Sequence, residues 1–231
     1  MVAPAKGILA ADESSKTIQK RFDKIGLQST PDTNLSYRKI LFTTPGIEEF
    51  ISGVILYDET IRQSIDGTPV PEYLQSRGII PGIKVDKGAV DMPNFLGEKI
   101  TEGLDDLRKR FEEYRSLGAK FSKWRAVITI GEGIPTDTCI EANAKALARY
   151  AALSQEQNIV PIVEPEVLMD SDHTLEVCQE VTKKIMKVVF ERLTAHKIVL
   201  EGMILKPNMV ISGKKCPTQA TSKEIAKATV E

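Results

Sequence analysis

Seven charged residues stand at or near the ends of apolar segments: Asp12, Lys84, Lys123, Arg125, Glu164, Glu166 and Lys206. Lys123 and Arg125 lie two apart, as do Glu164 and Glu166, so on extended backbone each pair projects from one face. Lys206 is the sharpest case, because it closes an apolar run and a proline follows it. An ammonium group in apolar surroundings is costly unless it is paired or neutralised. A lysine that loses basicity through burial or neighbouring cations becomes available as a neutral amine. Such an amine adds to a ketone or aldehyde, giving a carbinolamine and then an iminium, an electron sink for breaking a neighbouring C–C bond. Glu164, Glu166 and Asp12 would supply proton donors and acceptors. The remaining cations suit an anionic substrate, above all a phosphate. Lys84, Lys123 and Lys206 all meet these electrostatic requirements, so the nucleophile stays open among the three.

The elements that must carry these groups recur along the chain. "KGILAAD" (6–12), "FISGVILYD" (50–58), "GIIPGIKVD" (78–86), "FSKWRAVITI" (121–130), "IVPIVEPEVL" (159–168) and "IVLEGMILKPNMV" (198–210) read as short buried strands. Helical patterns lie between several of them. Leu104, Leu107, Phe111 and Tyr114 recur at helical spacing, with Gly118 where a C-cap falls. Leu175, Cys178, Val181, Ile185 and Val188 form a second such stripe. Strands alternating with amphipathic helices predict right-handed βαβ units and a parallel sheet. Trp124, between the two cations of its strand, is expected to point outward beneath a helix.

No GxGxxG or GxxxxGK[ST] loop is present, which argues against an open nucleotide-binding sheet. In an α/β fold the helices cover the outer strand faces, so charges from five strands need another destination. The C-terminal mouth of a (β/α)8 barrel provides it. The predicted fold class is therefore α/β, a TIM (β/α)8 barrel, with residues 1–231 forming a single domain. Strand starts recur every ~38 residues, so eight units would need about 300 residues and this chain covers about six. Thr221 and Glu224 have capping-box spacing at the start of a last helix.

The balance of 31 Lys and Arg against 32 Asp and Glu, a formal net charge of −1, gives no electrostatic reason to expect nucleic acid or membrane as a partner. The apolar runs are strand-sized. Three cysteines without CxxC spacing and no secretory signal predict a reduced, cytoplasmic protein. Neither His173 nor His196 belongs to a metal-ligand cluster, so no metal and no cofactor are expected. His196 reads as a solvated helix end, His173 as a residue that caps or lines a loop, and Cys178 as core.

"GILAADES", "GIKVDKG", "FSKWR", "IVPIVEPEVL" and "LEGMILKPNMV", in this order and at these spacings, resemble class I fructose-bisphosphate aldolase over essentially the whole chain. That resemblance implies that Lys206, in "LKPN", forms the Schiff base. It implies Glu164 as the acid/base that dehydrates the carbinolamine, and Asp12 as the group handling the substrate hydroxyl proton in C–C cleavage. Lys123 and Glu166 would tune the intermediates, with Arg125 close to the substrate. Lys84, Ser14 and Thr17 match positions that hold the 6-phosphate, the last two at a helix N-terminus, a physically sensible anion site. The implied reaction is reversible cleavage of fructose 1,6-bisphosphate to dihydroxyacetone phosphate and glyceraldehyde 3-phosphate, in glycolysis and gluconeogenesis, by a homotetramer. The resemblance further implies two more strands, carrying a Ser-Gly-Gly loop and a Gly-Arg pair, a tyrosine-bearing tail, and an extra N-terminal helix. Two other readings stand beside it. One keeps the Schiff-base lysine but gives it another substrate, as in transaldolase or deoxyribose-phosphate aldolase. The other makes the chain a non-catalytic binding piece.

Overall fold

The computed structural model describes all 231 residues, in two compact units. The first comprises Met1–Val85, Arg108–Lys123 and Gln157–Ile159, and the second Asp86–Leu107, Trp124–Glu156 and Val160–Glu231. No helix is long and apolar enough to cross a membrane.

The strands of the first unit are β1 (Gly7–Ala11), β2 (Ile51–Leu56), the hairpin β3 (Ser64–Ile65) and β4 (Thr68–Pro69), and β5 (Ile80–Lys84). β1, β2 and β5 pair in parallel, Ala11 opposite Leu56 and Leu56 opposite Ile83. Helices α1 (Ser15–Phe22), α2 (Pro31–Phe42) and the single turn α3 (Ile47–Phe50) lie between β1 and β2 in the chain. The short α4 (Asp58–Ile61) and α5 (Val70–Ser76) precede β5. α2 begins at a reciprocal capping box between Thr30 and Thr33 with Pro31 just inside, so its start is fixed locally.

In the second unit β6 (Gly88–Asp91) and β7 (Lys99–Glu102) form an antiparallel hairpin. It is followed in the chain by α6 (Leu107–Ser116), which from Arg108 on belongs to the first unit, and by β8 (Phe121–Ile128). The first residues of β8 belong to the first unit, where Gly82 faces Phe121 and Lys84 faces Lys123. Its remainder belongs to the second, with α7 (Asp137–Glu156), β9 (Val160–Val167), α8 (Leu175–Ala195), β10 (Ile204–Leu205) and α9 (Ser222–Val230). β9 pairs in parallel with β10. Alternation along β8 sends Phe121, Lys123 and Arg125 to one face and Trp124 to the other. Trp124 is fully buried and stacks on Tyr150 of α7, ring centroids 5.6 Å apart, as the sequence predicts.

Phe121 sets the layer beneath the lysines. A Cβ on Gly82 would meet its ring at 2.3 Å, and one on Gly53 would meet it at 3.0 Å. Two neighbouring strands therefore carry glycine where the buried ring crosses them. Burial of such a side chain is worth about 1.5–3 kcal/mol. Lys84 and Lys123 stand two residues further along, on the same face.

Three predicted elements differ. The expected strand across 198–210 keeps only Ile204–Leu205 in the ladder, preceded by a 3-10 turn at Leu200–Gly202. Gln155 explains it: its amide nitrogen donates to the Val199 and Gly202 carbonyls at 2.8 and 3.3 Å, and its oxygen accepts from the Val199 amide at 3.0 Å. Those backbone groups are satisfied without a neighbouring strand. In α8 the buried line is Cys178, Thr182, Ile185, Val189 and Leu193, not the stripe through Val181 and Val188, both half-buried. Successive steps of three drift off one face of a helix that turns every 3.6 residues. α6 begins at Leu107, leaving Leu104 outside it, and positive φ at Gly118 and Asp106 brackets the helix.

Candidate active site

Each unit holds a cluster of predicted site residues. In the first, the Lys123 ammonium donates to Asp12 Oδ2 at 2.7 Å, and both residues are buried. Asp12 follows β1 directly, and Lys123 lies at the point where β8 leaves β5. Lys84 is the register partner of Lys123 and is half-buried. Two cations thus sit side by side with a carboxylate against one of them, an arrangement suited to an anion or to a charge that develops during reaction.

Ser14 is the N-cap of α1; its hydroxyl accepts from the Thr17 amide at 3.3 Å and lies 3.1 Å from the Thr17 hydroxyl. Both residues therefore belong to one helix start, as predicted, the end of a helix that favours an anion.

In the second unit the Lys206 ammonium donates to Glu164 Oε1 at 2.5 Å. The β9–β10 register carries this contact: the Lys206 amide donates to the Val163 carbonyl at 2.9 Å, so Lys206 follows Leu205 in the ladder beside Glu164. Glu164 is buried, whereas the Lys206 side chain is about half exposed, at 48%. An amine open to solvent on one side and held against a buried carboxylate on the other can meet a substrate carbonyl and exchange a proton. Two residues on, Glu166 accepts from Arg125 Nε. Burial works against the Arg125 charge, but Glu166, with Glu164 and Asp86, outweighs it and holds the guanidinium pKa above its ordinary value.

Asp86 joins this site without a local sequence pattern that marks it. It is buried, and its carboxylate accepts from the amides of Gly88 at 3.1 Å and Arg125 at 3.3 Å. The Thr101 hydroxyl donates to the Arg125 carbonyl at 2.8 Å. The backbone under Arg125 is thereby held from both sides. The aspartate of "KVDKG" is the available signal, but the Arg125 amide that donates to it lies 39 residues away.

The histidines separate. His196 is an exposed C-cap of α8, as expected. His173 is buried, its Nδ1 is 2.6 Å from the Ser171 hydroxyl and its Nε2 has no partner. The helix cap is Thr174, one residue later, so His173 lines the loop instead of capping. Burial pushes its pKa below the usual value, opposed by the Ile211 backbone and Asp172. Cys178 is core, as expected, and all three cysteines are free and buried.

A family model described as "Glycolytic: Fructose-bisphosphate aldolase class-I" matches residues 1–231. The "Probable fructose-bisphosphate aldolase class 1" of Xanthomonas campestris pv. campestris is 58% identical over 231 residues, covering all of this chain and 69% of that protein. "Fructose-bisphosphate aldolase 1" of Toxoplasma gondii is 50% identical over 233 residues, covering all of this chain and 64% of that one. A solved structure of fructose-bisphosphate aldolase from Plasmodium falciparum superposes with a TM-score of 0.96 at 49% identity, over 99% of this chain and 67% of that one. The fold is accordingly that of the TIM (β/α)8 barrel family, with six of its parallel strands in this chain. With a buried carboxylate 2.5 Å from the amine of its "LKPN" lysine and aldolase relatives along its whole length, the chain belongs to the class I fructose-bisphosphate aldolase family.

Proposed function

We propose that residues 1–231 form one aldolase domain in which Lys206 is the Schiff-base nucleophile for fructose 1,6-bisphosphate. The observation that carries this is the 2.5 Å contact between Lys206 Nζ and the buried Glu164. The amine adds to the C2 carbonyl, and Glu164 takes and returns the protons that turn the carbinolamine into an iminium plus water. The iminium then accepts the electron pair of the C3–C4 bond as the C4 hydroxyl proton passes to Asp12. Glyceraldehyde 3-phosphate leaves, and the remaining enamine is protonated and hydrolysed to dihydroxyacetone phosphate. Lys123, hydrogen-bonded to Asp12, and Glu166, held by Arg125, stabilise the charges that appear along this path. Lys84, Ser14 and Thr17 hold the 6-phosphate, and Arg125 lies near the substrate.

The family supports a sugar-phosphate substrate. Its resemblance supports a homotetramer, and three free buried cysteines support a reducing, cytoplasmic setting in glycolysis and gluconeogenesis. The test is turnover of fructose 1,6-bisphosphate, followed by appearance of both triose phosphates in equal amounts. Failure to cleave it, with cleavage of a different ketose instead, would assign the lysine to another substrate.

A further inference from the structure

Arg38 is the one wholly buried guanidinium of the first unit, and its hydrogen bonds converge on a single residue's surroundings. It sits on α2, a turn beyond Asn34, and is 0% exposed. Nε donates to the Ala11 carbonyl at 3.1 Å, and Nη2 donates to the Glu13 carbonyl at 2.6 Å. These are the residues on either side of Asp12. Nη1 donates to the Thr60 hydroxyl at 2.6 Å and lies 3.4 Å from Glu59 Oε1. Asn34 donates to the same Glu59 oxygen at 3.1 Å and accepts from Ser29 at 2.8 Å, so the anchor of the fork is itself anchored. The guanidinium also lies over the Tyr57 ring, 5.7 Å from its centroid.

Burial of this charge is expensive. It works against the protonated form of Arg38, opposed by Glu13, Glu59, Asp12 and Tyr57. Covering the end of a strand needs no charge, since an apolar side chain would do it. What a rigid planar fork adds is simultaneous hold on four acceptors in a fixed geometry. Here two of the four are the carbonyls on either side of Asp12, itself the first residue past the β1 ladder, where the sheet no longer fixes the backbone.

We infer that Arg38 is a positioning residue that fixes the backbone around Asp12 so that its carboxylate stays in line with Lys123 and with the substrate hydroxyl. This rests on the proposed role of Asp12 in cleavage. Arg38 touches neither substrate nor reacting atoms. Its contribution is to spare Asp12 the search among conformers that follows when a strand end is released, and displacement of about 1 Å costs on the order of 100-fold in rate.

The decisive variant is Arg38→Lys, which keeps the charge but cannot span the four acceptors. Expected is a folded protein whose kcat for fructose 1,6-bisphosphate cleavage falls by about 10- to 100-fold. KM should stay within about threefold, and borohydride trapping of dihydroxyacetone phosphate on Lys206 should be unchanged, because only transition-state alignment at Asp12 is lost. A purely structural role would instead lower trapping and cleavage together, and that result overturns the inference. So does a kcat within twofold of the parent while Asp12→Asn is inactive. If Asp12→Asn itself cleaves at the parent rate, the assignment of Asp12 fails first, which is a distinct outcome. Should Arg38→Lys not fold, Thr60→Val removes one anchor of the fork without burying a new charge. It should lower kcat about two- to fivefold with trapping intact, as loss of one buried hydrogen bond implies. An unaltered kcat there contradicts the inference.

Discussion

Asp12→Asn is expected to slow carbon–carbon cleavage by about 10²- to 10⁴-fold while leaving Schiff-base formation on Lys206 intact. Asparagine preserves the shape of the side chain and can still accept a hydrogen bond from Lys123, but it cannot take up the hydroxyl proton. Asp12 is buried and bonded to Lys123 at 2.7 Å, so its charge is lost where solvent does not replace it. Replacing one charge-assisted hydrogen bond costs about 1.5–3 kcal/mol of stability, which a folded domain tolerates. Lys206 and Glu164 form their contact in the other unit, through β9 and β10, and nothing in that contact involves Asp12. The check is a pair of assays on the same protein, turnover of fructose 1,6-bisphosphate and borohydride trapping of dihydroxyacetone phosphate. Cleavage within tenfold of the parent, or loss of both activities together, would contradict the division of labour.

The second large effect is on stability. Gly82→Val is expected to destabilise the first unit by about 3 kcal/mol or more. Its Cβ alone would lie 2.3–2.5 Å from three atoms of the Phe121 ring, before either γ-methyl is considered. The ring is fully buried and lies across both glycines, so closely that a Cβ on Gly53 would also meet it, at 3.0 Å. Phe121→Ala alone should cost about 3–5 kcal/mol through the cavity it leaves. The double variant should cost clearly less than the sum of the two, because valine then fills part of that cavity. Chemical denaturation of all three variants measures this directly. Additive losses would mean that the glycine is not there for the ring. Activity should fall with Gly82→Val beyond the loss of folded protein, since Lys84 and Lys123 stand on the layer that moves.

Five of the six main strands were legible because a parallel strand buried on both faces reads as a continuous apolar run. β8 and β9 could even be oriented: the two-residue spacing of Lys123 and Arg125, and of Glu164 and Glu166, places each pair on one face. The stretch 198–210 was equally apolar and yet is mostly loop. What decides it is Gln155, a helix residue some 45 positions earlier that satisfies the backbone of Val199 and Gly202. Such pairing is invisible to local patterning. Arg38 escaped for a related reason. In "NLSYRKILF" it is one of two adjacent cations on a helix, which by default reads as a solvated face. Only the return of the chain past residues 11–13 and 59–60 turns it inward. Asp86 and the complementarity of Phe121 with Gly53 and Gly82 likewise depend on contacts between strands far apart in sequence. Charge type and spacing reveal which residues could react; the groups that hold them still are set by tertiary packing.

The most direct measurement is borohydride reduction of the protein in the presence of dihydroxyacetone phosphate, followed by intact mass and peptide mapping. The amine beside Glu164 is predicted to carry the label, so one triose-phosphate adduct should appear, on Lys206 and not on Lys84 or Lys123. An adduct on either of those lysines, or none, would contradict the central claim that Lys206 is the nucleophile.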